Sequence, residues 1–189
     1  MSIGRRSNRL ALSAGGLAAL AFLMGGCSNG PDLNGPFGDS PTQPVGAQGF
    51  RQPPGSVATM AMLSFSNSGG VARIEKVTLV GAHNLQLVDE LVVRITGHDL
   101  IGVMGRYPTG HGPAFLAPGI HWAARQHAVG ATIVHTPFPD SINLVLVLRA
   151  SGIEGTAKDV YINYESEGTQ YRLYFGCSIK LLNGNPPGS

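Results

Sequence analysis

The chain has 189 residues, of which 43% are hydrophobic and only 13% charged, with a formal net charge of +2. That length suits one core-forming domain with appendages. Arg5, Arg6 and Arg9 stand at the front, so the remainder carries about 2 − 3 = −1, too little clustered positive charge to grip nucleic acid through its phosphates.

The first 27 residues have the three parts of an export signal. Arg5, Arg6 and Arg9 precede an apolar run from Leu10 to Met24, which is followed by the small pair Gly25-Gly26 and by Cys27. As a helix, the run would be about 22 Å long against a hydrocarbon core of about 30 Å, short for a permanent span. Two glycines before a cysteine let an extended backbone enter a narrow peptidase site, and the thiol can then carry a diacylglyceryl group. Leu23-Met24-Gly25-Gly26-Cys27 resembles the lipobox of bacterial lipoproteins, with Met24 where that family prefers leucine. The resemblance implies removal of residues 1–26, lipid attachment at Cys27, and a chain anchored in the cell membrane on the extracytoplasmic side. Two acyl chains hold essentially irreversibly where one does not. Arg5-Arg6 also permits twin-arginine export, although Asn8 and Arg9 stand where that signal wants apolar residues.

Residues 27–55 are rich in Gly, Pro, Ser, Asn and Gln, with almost no apolar periodicity. Such a stretch buries too little apolar surface to offset its ordering entropy, and it reads as a disordered tether reaching about 30 Å. Phe50 is the residue best suited to pack against a neighbouring domain.

Residues 56–183 read as a single domain and 184–189 as a frayed tail. The periodicity is two, punctuated by Gly, Pro, Asn and Asp. Expected strands are 57–65, 73–80, 85–88 continuing through 91–95, 100–104, 131–135, 142–149, 158–164 and 169–181. Seven or eight short strands in this length imply an all-β fold, an immunoglobulin-like antiparallel β-sandwich. Tyr164 and Thr169 flank Glu165-Ser166-Glu167-Gly168, a four-residue hairpin loop with a late glycine suited to positive φ. Tyr171, Leu173, Phe175, Cys177, Ile179 and Leu181 share the expected core face of the last strand. Residues 142–148 are apolar on both faces and belong in the middle of a sheet.

The irregular stretch 105–130 holds the single tryptophan, Trp122, expected to plug one end of the sandwich. Residues 120–127 could form one helical turn or an irregular edge strand, and a binding loop would be sought there. Cys177, in the apolar alternation of the last strand, reads as a small buried hydrophobe. Met60 and Met62 read as two core side chains on one strand face, without the His-x-Met pattern of exported copper carriers. The six histidines contain no HxH or HxxxH pair, so no two metal ligands lie adjacent on one element.

Catalytic patterns are weak. Asn67-Ser68-Gly69-Gly70 looks like the nucleophile stretch of chymotrypsin-like proteases, but no histidine precedes it, and a turn is expected instead. Asp159, Glu165 and Glu167 are expected near the last hairpin as a solvated turn. The reading is therefore a non-enzymatic lipoprotein without cofactor, catalytic set or metal set. Its partners are the membrane, through the diacylglyceryl anchor at Cys27, and an envelope protein or cell-wall component. The alternative is metal or small-ligand capture through His121, His127 and His135.

Overall fold

A computed structural model describes residues 32, 34–39, 46–65, 70–99, 101, 103–104, 116–134, 136 and 139–184. The signal segment 1–26, Cys27 and residues 185–189 lie outside them. No helix among the described residues is long and apolar enough to cross a membrane.

The first strands among the described residues are a two-stranded ribbon, β1 (Asn34–Gly35) and β2 (Gly38–Asp39), followed by β3 (Gly46–Gln52). Next come β4 (Ala58–Phe65), β5 (Val71–Val80), β6 (Leu85–Ile95) and β7 (Val103–Met104). A 3-10 turn at Trp122–Ala124 precedes β8 (Gln126–His127) and β9 (Thr132–Val134). The chain then forms β10 (Ser141–Ala150), β11 (Glu154–Ala157), β12 (Asp159–Ser166), β13 (Thr169–Tyr174) and β14 (Cys177–Asn183).

These strands make an all-β, sandwich-like fold. The sheet orders are β7-β4-β10-β6-β8, β13-β12-β5-β9 and β11-β14-β3. Named strands pair antiparallel except β3, which runs parallel to β14 over seven residues. The main core lies where the sheets face one another. It takes Met60, Val92, Leu144, Leu146 and Leu148 from the first sheet, Ile74, Val160, Ile162 and Leu173 from the second, and Ile179 and Leu181 from the third.

β10 shows why composition puts it in the middle. It pairs with β4 on one side and β6 on the other. Its leucines enter the main core, while Val145 and Val147 enter a second cluster with Leu91, Val93 and Ile95. Trp122 and Ile120 belong to that second cluster. Trp122 thus covers the outer face of the five-stranded sheet and does not plug an end of the sandwich.

Bulges explain the breaks in alternation. Leu87 and Asp89 oppose Leu148 and Val147, so Val88 is the extra residue that joins the two expected halves of β6 into one strand. Met62 is likewise the extra residue between Ala61 and Leu63 of β4, while Met60 is fully buried. Fourteen strands are present among the described residues, eight of them with six or more residues. β11 was not expected, and within the expected 100–104 strand the described residues show Val103–Met104 as β7.

The tether reading for 27–55 fails over much of its length. Phe37 is only 6% exposed and lies tilted against Tyr164 at 4.3 Å between ring centroids, and Phe50 packs against the core. Gln52 is buried, and its Nε2 donates to Ser56 O and to Asn183 Oδ1, each at 3.0 Å. Parallel pairing uses backbone groups alone, so a glycine-rich stretch can form a strand with no apolar pattern to announce it. At the other end Gly184 donates its N–H to Gln52 O at 2.8 Å, so the frayed tail does not begin there.

The last hairpin is tighter than expected. Ser166 pairs with Thr169, leaving a two-residue turn of Glu167 and Gly168 at φ of 52° and 77°. The single expected strand 169–181 is two strands in different sheets, broken at Gly176 with φ of 64°. Leu173, Phe175, Cys177, Ile179 and Leu181 are nevertheless all buried.

Candidate functional site

The exposed side chains with the most convergent chemistry lie where β8 pairs with β6. His121 N–H donates to Arg94 O, and Trp122 turns back on Ile120 through a 2.8 Å backbone bond. This seats the indole on the second core, and Arg125 then leaves in extended conformation. Two register pairs follow, Val92 with Gln126 and Leu91 with His127, before Ala128 N–H bonds Glu90 O. The stretch thus forms both the helical turn and the edge strand that its sequence allowed.

The result is an open depression of about 330 Å3 lined by Asp89, Leu91, Ala123, Arg125, Gln126 and His127. The Arg125 guanidinium sits 5.3 Å from the Trp122 ring centroid and donates to Trp122 O at 3.0 Å. Indole and carbonyl together hold this cation on the rim. His127 Nδ1 lies 3.0 Å from Asp89 Oδ1, which also accepts from Glu90 N–H at 2.9 Å. A carboxylate only accepts, so Nδ1 carries the proton and Nε2 is left to bind a ligand. The pair is open to water, with side-chain exposures of 76% for His127 and 25% for Asp89. Burial pushes the neighbouring Glu90 carboxyl above the usual carboxylate range, Asp89 adds to the rise, and His127 opposes it.

A guanidinium, an imidazole and an amide on one rim can hydrogen-bond a small polar or anionic group. The six described lining residues include no serine, threonine or cysteine.

The residues singled out from sequence scatter. Cys27, His111 and His135 lie outside the described residues. His121 contacts Thr96 Oγ1 at 3.3 Å, whereas His127 pairs with Asp89. Those two partners are seven positions apart along and just beyond β6, roughly 23 Å. The suggested convergence of His121 with His127 is therefore not what forms. His83 is exposed in a backbone bridge to Thr156, and His98 is exposed on a separate turn. Among the described residues, no group of three or more His, Cys, Asp or Glu side chains could hold a metal ion.

Cys177 is a buried free thiol, pushed up by burial and by Asp159, with a hydrogen bond from the Gln48 backbone opposing. Asp159 is not in the last hairpin turn. It sits at the opposite end of β12, where Oδ1 accepts from Val160 N–H at 2.7 Å and from Gly176 N–H at 2.9 Å. Glu165 instead accepts from Gly168 N–H within the turn. Residues 67–69 of the protease look-alike lie outside the described residues, and Gly70 has a φ of 96°.

Arg125 falls within the 120–127 stretch where a binding loop is sought, whereas Asp89 has no such mark in the sequence. Asp89 is 38 residues from His127, so no local spacing announces the pair. The available signal was weak: two adjacent carboxylates, Asp89 and Glu90, interrupting the apolar residues of β6.

No protein-family model matches the chain, and a search of curated proteins finds no significant match.

Proposed function

We propose that the chain is a lipoprotein held at the extracytoplasmic face of the cell membrane through acylated Cys27. Its domain acts as a non-enzymatic binding or structural module toward an envelope protein or cell-wall component. The observation that carries the anchor is the run from Arg5 to Cys27, with its basic start, apolar middle and Gly25-Gly26-Cys27 end.

The domain is an immunoglobulin-like sandwich. Support comes from strand order: β4, β10 and β6 are neighbours as strands B, E and D are in that fold, while β5, β12 and β13 are neighbours as C, F and G are. The fold's disulfide and its tryptophan on strand C have no counterpart in β4, β5 or β12.

Mass spectrometry of the N-terminal peptide tests the anchor. The expected product lacks residues 1–26 and carries a diacylglyceryl group on Cys27. Recovery of an intact, unlipidated N-terminus from cytosol would overturn the reading.

A second reading, capture of a small ligand, is favoured by the depression at Arg125, Gln126 and His127. Its chemistry suits a polar or anionic group better than a metal ion. Thermal-shift titration separates the two classes, because a ligand at 100 times its dissociation constant adds about 2.7 kcal/mol of stability.

A further inference from the structure

We infer that the domain rests directly on the lipid surface, with the end bearing the β12–β13 turn toward the bilayer. This placement deepens the lipoprotein reading and rests on acylation of Cys27. The backbone at Asp32 carries it. Asp32 N–H donates to Gln170 O at 3.0 Å, Arg172 N–H donates to Asp32 O at 2.7 Å, and the bridge to Tyr171 is parallel.

β13 runs away from the Glu167–Gly168 turn. A segment lying parallel to it therefore comes from the side of that turn. Only five peptide steps separate Asp32 from Cys27, a reach of at most about 18 Å when fully extended. Pairing at Asp32, docking of Phe37 and pairing of β3 turn the expected long leash into a short strap.

Strand register identifies what else lies at this end. Ala72 pairs with Ser166, Val71 with Val134, Phe65 with Ile142, and Ile95 with Ser141. Val71 and Val134 are 53% and 52% exposed. Single exposed valines are ordinary on protein surfaces. Two that oppose each other across β5 and β9, at the end from which the anchored chain departs, form an apolar contact for the interfacial zone of a bilayer.

The charges at this end are Asp32, Asp140, Glu165 and Glu167 against Arg73, Arg94 and Arg172, nearly balanced, which gives anionic headgroups little purchase. Contact with lipid is thus set by the strap and the valine pair, and it is insensitive to salt. The opposite end, with Gly81 to Asn84 and with Ile153 at 84% exposure, faces away from the membrane.

The test uses the full chain, processed and lipidated in a bacterial host and reconstituted into vesicles of phosphatidylethanolamine and phosphatidylglycerol. Fluorophores are placed at Thr169→Cys, near the turn, and at Ile153→Cys, at the far end. Ten strand residues separate the two ends by about 33 Å. Nitroxide-headgroup lipids should quench the first label strongly and the second hardly at all. Inserting 20 Gly/Ser residues (about 20 by design, near the flexible-coil regime) after Ser28 should abolish the difference. Equal quenching at both positions, with Cys27 shown by mass spectrometry to be acylated, overturns this placement and leaves the anchor standing. An unacylated Cys27 overturns both.

Discussion

Replacing Phe37 by alanine decides whether the N-terminal segment is part of the folded unit. The ring is 6% exposed and tilted against Tyr164 at a centroid separation of 4.3 Å. Burial of such a side chain contributes about 2–3 kcal/mol, and the aromatic contact adds about 0.5–1.5 kcal/mol. A loss of about 3–4 kcal/mol follows, within the range for core Phe→Ala substitutions. For a domain of this size that is a fall in Tm of about 6–16 °C. If the β1–β2 ribbon lets go as a unit, the loss is capped at its docking free energy, and protection of Asp32 and Arg172 amides against hydrogen exchange falls first. Urea unfolding of the Cys27→Ser chain, with and without Phe37→Ala, measures the change directly. A difference within about 0.5 kcal/mol, with unchanged amide protection, would show that residues 32–39 behave as a surface appendage and refute the reasoning.

Four further outcomes are expected. Gly35→Ala should destabilise in the same direction as Phe37→Ala, because a Cβ there would collide with the Tyr164 hydroxyl and the Tyr171 ring; the same urea experiment checks it. Tyr164 is pushed up to about 12, first by burial, so its folded pKa exceeds the usual value of about 10. Its contribution is complete below about pH 10 and is lost as pH rises toward 12, so Tm should fall less steeply over that window in Tyr164→Phe than in wild type. For Glu90 the folded pKa is raised, which favours the protonated form. Glu90→Gln should therefore raise Tm at pH 7, with an advantage that shrinks as acid protonates the wild-type carboxyl; an increment that grows toward pH 4 would contradict the assignment. Cys177 should resist a thiol reagent at pH 8 in the native state and react fully in urea, given its burial and raised pKa.

The strands that bury one face were legible from alternation, and β10, apolar on both faces, was legible as a central strand. The break at Gly176 was not, because alternation continues unchanged from Leu173 through Cys177 to Leu181 while the backbone passes from one sheet to another. β3 escaped for a different reason. Its neighbour recognises backbone amides and carbonyls, so Gly46, Gly49 and Gln52 carry no apolar signature of their strand. At the candidate site, His127 was named but its carboxylate was not. Register across β6 and β8, a property of the folded sheet, makes that pair.

The parallel pairing of β3 with β14 also governs when the protein can finish folding. Cys177 is the partner of Gly46, so β3 has no template until the chain more than 120 residues further on has been made. Closure across so much sequence is slow. Until residues 177–183 are available, β3 accordingly lacks the neighbour that supplies its backbone partners.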